Sequence, residues 1–226
     1  MLKNKSYIGI SLVILVFGIW AVPKIIASFN DNGIVKGDRL NVVTSKKESN
    51  LIKIGATPKF SLTDQNNNTI TNADYDGKVY VLEFFFSTCP TICPRMNANL
   101  KEVQLQFKGV KNFGIASITI NPKNDTVEVL KQHAAELEIT DENWHFLTGD
   151  KDYIYEIANK GFNMYAAQND NVNGGFEHSG LFALIDKNGT IRCRKDNFGN
   201  PILYYDGLEK AGIKALTEDI KLLLQE

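Results

Sequence analysis

Residues 78–96 read KVYVLEFFFSTCPTICPRM, and this stretch constrains the fold more than any other. Lys78 to Phe86 is short, almost wholly apolar, rich in β-branched and aromatic residues, and bounded by Asp76-Gly77. A run without polar alternation is covered on both faces, so it predicts a buried central strand. Beyond the cysteines, Met96, Leu100, Val103, Leu105 and Phe107 recur at helical spacing up to Gly109. A core strand therefore passes almost directly into a helix, and Cys89 and Cys93 stand at the joint, each followed by proline.

In a helix, residues i and i+4 share a face. The spacing therefore predicts that both thiols point the same way at a helix start. Free N–H groups and the positive end of the helix dipole favour a thiolate there. Pro90 and Pro94 fit a first turn, where a missing N–H costs little. Such a pair can cycle between dithiol and disulfide, hold a soft metal ion, or act as a staple.

A metal needs further ligands. Of the three histidines, His133 falls within a helical pattern and His145 on a short strand after Trp144; both read as packing or surface residues. His178 ends a glycine-containing loop immediately before the apolar run LFALI, at a strand end of the kind that presents chemistry. Two thiolates and this imidazole form an open site suited to copper. Met96 and Met164 read as core residues, and Cys193 as an unpaired strand cysteine.

The chain has 226 residues and a formal net charge of -1. The length suits one domain with an appendage. The charge carries no polyanion footprint, so no nucleic-acid partner is expected. Three cysteines are too few for a secreted disulfide framework. Lys3 and Lys5 precede an apolar run from Tyr7 to Val22, followed by Pro23, Lys24 and a further apolar patch. This predicts a transmembrane anchor over 1–27, uncleaved because no small-residue cleavage site follows. Its basic flank stays inside, and the rest of the chain lies on the far side of the membrane. Residues 28–55 read as a linker and 56–226 as the folded domain.

Within that domain the pattern predicts a hairpin over 59–72, a strand over 112–120, and a helix over 125–139 with Asp125 as N-cap. A short strand and turn follow over 144–150, then a helix over 151–161 stopping at glycine and a polar, flexible loop over 166–177. A hairpin over 181–194 turns at Asn188-Gly189, and an amphipathic helix over 207–225 closes the chain. Together these make an α/β fold, a mixed sheet flanked by helices.

In order along the chain, CPTICP (89–94), SITINPKNDT (117–126), WHFLTGD (144–150) and HSGLFALIDKNGTI (178–191) resemble the Sco (SCO1/SenC) family. The resemblance implies a thioredoxin-like domain held on the outer side of a membrane: the inner membrane, by a single-pass anchor, with the domain facing the periplasm. It implies that Cys89, Cys93 and His178 bind copper, Cu(I) or Cu(II). It further implies assistance in maturing the CuA centre of cytochrome c oxidase. The partner is then the oxidase subunit carrying CuA, or another periplasmic thiol or copper protein. The alternative within the family is a thiol-disulfide oxidoreductase that keeps partner cysteines reduced, with Cys89 and Cys93 as the redox pair. Many members carry Asp where Thr91 and Asn121 stand here, and the loop before His178 is atypical.

Two further features bear on that choice. Glu83, six positions before Cys89, resembles the buried carboxylate of thioredoxins, although the ordinary expectation is a carboxylate satisfied by a lysine or by backbone. No proline precedes LFALI, where thioredoxins place one for substrate docking; His178 occupies that region, which favours a ligand cage. A peroxidase reading has only Arg95 to support it.

Overall fold

The computed structural model describes residues 15–20, 22 and 49–226. The chain divides into two units, Met1–Ser45 and Lys46–Glu226. In the first, residues 15–20 and 22 are helical. Among the described residues no helix is long and apolar enough to cross a membrane. Most of the expected anchor over 1–27, and of the linker over 28–55, lies outside the described residues.

The second unit is built on one mixed sheet. Its strands are β1 (Ile52–Ala56), β2 (Ser61–Asp64), β3 (Thr69–Thr71), β4 (Val79–Phe85), β5 (Phe113–Thr119), β6 (Trp144–Thr148), β9 (Leu181–Ile185) and β10 (Thr190–Lys195). They lie in the order β1-β10-β9-β4-β5-β6-β2-β3. The central strands β4, β5 and β6 run parallel, and the outer pairs are antiparallel. All residues of β4 and β5 are buried, as an unalternated apolar run requires. Phe84, Phe85 and Phe86 are each no more than 2% exposed. At roughly 1.5–3 kcal/mol per buried side chain, they pin the end of β4 so that the turn after it starts from a fixed point.

Four helices flank the sheet: α1 (Cys93–Gln106), α2 (Val127–Glu136), α3 (Lys151–Glu156) and α4 (Lys210–Gln225). α3 runs into a wider turn over Ile157–Gly161. α1 packs against α4, and α2 against β6. Leu105, which the helical pattern placed inward, is exposed instead. The N-cap of α2 is Thr126, whose hydroxyl accepts from Val129 N; Asp125, expected there, is buried elsewhere.

Three features of this unit escape the sequence pattern. β1 begins before Ala56 and pairs with β10 along the sheet edge. Short strands β11 (Pro201–Ile202) and β12 (Tyr205–Asp206) extend β10 and β9. The stretch expected as a loop over 166–177 is a hairpin, β7 (Ala166–Gln168) with β8 (Phe176–His178), whose strands pair only with each other. Its turn closes on its own backbone, with Asn169 N donating to Gly175 O and Gly175 N to Val172 O. Those local bonds hold the turn in place of the apolar alternation that strand prediction relies on.

Arg192, 1% exposed, ties the ends of this unit together. Its guanidinium donates to Asp186 at 2.8 Å, Glu226 at 2.9 Å, Ser49 Oγ at 3.0 Å and Leu51 O at 3.2 Å.

Candidate thiol and metal centre

The site begins at the end of β4. Ser87 N donates to Asp125 Oδ2 at 3.0 Å, and the Ser87 and Thr119 hydroxyls donate to the same carboxylate. Asn124 Nδ2 adds a bond at 2.8 Å. Asp125 is 0% exposed, so this cluster fastens the turn entering the site to the end of β5. The chain then curls, with Cys89 N donating to Phe86 O at 3.2 Å.

Only Cys93 belongs to α1; Cys89 precedes it. The sulfurs therefore converge through the turn, not through the shared helix face expected from their spacing. α1 has no side-chain N-cap. Instead Cys93 N donates to Cys89 Sγ at 3.4 Å, and the sulfur serves as acceptor for an otherwise orphaned helix N–H. The positive helix end stabilises negative charge on that sulfur.

His178, the last residue of β8, completes the group. The sulfurs of Cys89 and Cys93 and a ring nitrogen of His178 all lie within 4.8 Å of one another. His178 Nε2 is 3.1 Å from Cys93 Sγ, and Nδ1 is 3.0 Å from Ser179 O. A carbonyl oxygen only accepts, so Nδ1 carries a proton and Nε2 is the nitrogen turned to the sulfurs. The ring meets Phe86 edge-on at 5.9 Å.

The two thiols differ. The Cys89 thiol is driven down, first by the hydrogen bond from Cys93 and then by His178 and backbone N–H groups, against the cost of burial. The Cys93 thiol is driven up by the same bond and by burial. Cys89 is thus the thiolate, and the remaining proton stays on Cys93, within reach of both Cys89 Sγ and His178 Nε2. Thr91 Oγ1 lies 3.6 Å from Cys89 Sγ, so a neutral hydroxyl stands beside that sulfur.

Cys89 and His178 line a cavity of about 440 Å³ together with Thr91, Ile92, Tyr165 and Phe176; Cys93 does not line it. A separate cleft of about 470 Å³ includes Asn99, Lys210 and Lys214 and contains no thiol or imidazole.

Glu83 is fully buried on β4. Ser117 Oγ donates to its Oε1 at 2.7 Å, and Trp144 Nε1 donates to Ser117 Oγ at 3.0 Å. The partner is thus a hydroxyl, where the sequence suggested a lysine or backbone. Oε2 has no hydrogen-bond partner. Burial pushes the carboxyl up to about 7, although Ser117 and His178 pull the other way.

The remaining candidates lie elsewhere. His133 Nε2 contacts Asn97 Nδ2 at 3.3 Å and its ring stacks on Phe85. His145 Nδ1 meets Asp64 Oδ2 at 3.1 Å. Met96, Met164 and Cys193 are buried. Arg95 pairs at the surface with Glu209. Sequence reasoning missed Ser87, Ser117 and the anchoring role of Asp125; the Asp was visible, but a helix cap was the nearer explanation.

A central strand delivering a Cys-x-x-x-Cys turn into a helix, within a mixed sheet flanked by helices, defines a thioredoxin-like thiol domain. The SCO1/SenC family model matches residues 51–211, and the chain belongs to that family. It is 28% identical over 164 residues to a SCO1 protein homolog of Bacillus subtilis, covering 72% of this chain and 79% of the relative. It is 34% identical over 146 residues to a SCO2-like protein of Rickettsia prowazekii, covering 61% and 67%. Among solved structures, a SCO1/SenC family lipoprotein from Bacillus anthracis aligns with a TM-score of 0.67 at 26% identity, over 78% of this chain and 98% of that one. Yeast Sco1 with copper bound aligns with a TM-score of 0.54 at 26% identity, over 74% and 90%.

Proposed function

We propose that this protein binds copper as cargo through Cys89, Cys93 and His178, and assists maturation of the CuA centre of cytochrome c oxidase. The observation that carries this reading is the convergence of two sulfurs and a ring nitrogen of His178 within 4.8 Å. Two soft donors and one borderline donor select Cu(I) and tolerate Cu(II). The Ser179 carbonyl holds the ring in the tautomer that leaves Nε2 free, the usual outer support of a ligating histidine. A site of three protein ligands that opens on a cavity leaves room for an incoming donor from the recipient. Yeast Sco1, a similar protein, has been solved with copper bound.

The domain faces the extracytoplasmic side of the inner membrane, held by a single-pass anchor near the N-terminus; the basic flank and apolar run of the first 27 residues support this placement. Its partner is the oxidase subunit carrying CuA.

Anaerobic titration of the full chain with Cu(I) against a chelator tests the ligand set. One copper per chain is expected, with a large loss of affinity in Cys89→Ser, Cys93→Ser and His178→Ala. Unchanged affinity in His178→Ala overturns the assignment.

A second reading rests on the inequality of the thiols. In this reading the Cys89 thiolate attacks a partner disulfide, forming a mixed disulfide and releasing one partner thiolate. Cys93, losing its proton, then attacks Cys89 Sγ and frees the second, so the partner is reduced and this pair oxidised. Transfer of copper, as against electrons, to an apo-CuA domain separates the two readings.

A further inference from the structure

The β7–β8 hairpin touches the cysteine turn at three points. His178 meets Cys93, Phe176 packs on Phe86 at 5.3 Å between ring centroids, and Gly174 lies against Pro90. The base of the hairpin is held separately: Asn159 bonds both N and O of Ala166, and Ser179 N donates to Tyr165 O. Beyond the base, Lys151 Nζ bonds Gln168 at the end of β7, and the turn over 169–175 rests on the cysteine turn through Gly174.

That seat requires glycine. Gly174 has φ +92, and a Cβ there would stand 2.8 Å from Pro90 Cδ and 3.2 Å from Phe86 Cζ. Carbon atoms rest at about 3.5–4.0 Å, so the Cβ forces a separation of roughly 0.7 Å. The proline ring is rigid and has no rotamer to escape into. Pro90 is bonded to Cys89, so whichever side yields, the cysteine turn and the hairpin part. Metal–ligand distances hold to about 0.2 Å, well under that displacement.

We propose that Gly174 is a positioning residue of the thiol–imidazole site: its bare Cα seats the hairpin on Pro90, and this contact sets the spacing between Cys89 and His178. The inference rests on the reading of His178 as a ligand.

Two other glycines supply controls for backbone strain. Gly175, in the same turn, has φ +77, and Gly199, in a remote loop, has φ +90; a Cβ at either meets nothing within 4 Å. The experiment measures Cu(I) affinity by chelator competition, and nitrogen hyperfine coupling in the Cu(II) spectrum, for Gly174→Ala, Gly175→Ala, Gly199→Ala, His178→Ala, Pro90→Ala and the Gly174→Ala/Pro90→Ala pair. Gly174→Ala is expected to lose about tenfold or more in affinity, the size found when a ligand loses its outer support, and to weaken the nitrogen coupling. The two control glycines stay close to the parent, and the double variant returns to the level of Pro90→Ala. Gly174→Ala binding as tightly as Gly175→Ala, or failing to be rescued by Pro90→Ala, overturns the proposal. If His178→Ala weakens binding in those cases, the ligand reading stands alone. If His178→Ala has no effect, the ligand reading falls and this inference falls with it.

Discussion

Cys93 N donates to Cys89 Sγ at 3.4 Å, so the first sulfur accepts from the first N–H of α1. This bond adds to the larger effect of the contact between the two thiols, which lowers Cys89, raises Cys93 and so makes the pair unequal.

Unequal thiols have unequal reactivity. In the reduced, copper-free chain, iodoacetamide at neutral pH should label Cys89 before Cys93 by about tenfold or more, since rate follows thiolate character and access. Peptide mass spectrometry over a time course reads the ratio. Equal labelling, or Cys93 first, contradicts the assignment of the thiolate.

Glu83 gives a pH signature. Its folded carboxyl is pushed up to about 7 from 4.5, so the folded state holds the proton longer than the unfolded chain. Stability therefore falls as pH rises from about 4.5 to about 7, by up to roughly 3 kcal/mol. Glu83→Gln keeps the Ser117 bond and abolishes this dependence. Urea unfolding at pH 5 and pH 8 should show the variant gaining on the parent at the higher pH only.

Asp125 holds Ser87 and Thr119 in a buried cluster. Asp125→Ala strands an N–H and two hydroxyls, and is expected to cost about 3 kcal/mol or more in urea unfolding. Since the same bonds fix the turn entering the site, Cu(I) affinity should fall in the same variant under conditions where it remains folded. Retained affinity would show that the turn is held by other contacts.

Arg192→Leu leaves Asp186 and Glu226 without their cation. Breaking a buried pair by removing one partner costs about 3–5 kcal/mol. The cluster lies at the edge strand and the C-terminus, apart from the thiols, so copper affinity in the folded fraction should stay at the parent value while the urea midpoint drops.

Much of the centre was legible because its signals are local. The apolar run of β4, the Cys-Pro repeats and the isolated position of His178 before β9 are visible along the chain. Spacing misassigned the reason the sulfurs meet, because a turn and a helix start both bring residues four apart together. The β7–β8 hairpin was unreadable, since its strands are short and its turn is held by backbone bonds that leave no apolar periodicity. Ser117 lies 34 positions from Glu83, and Ser87 lies 38 from Asp125. Such pairings follow from strand register, which a single sequence does not spell out.

Because β7 and β8 pair as strands only with each other, displacing the arm that carries the imidazole breaks no rung of the main sheet. On the proposed copper-carrier reading, withdrawing that one donor costs only the contacts of the arm and leaves the domain core intact.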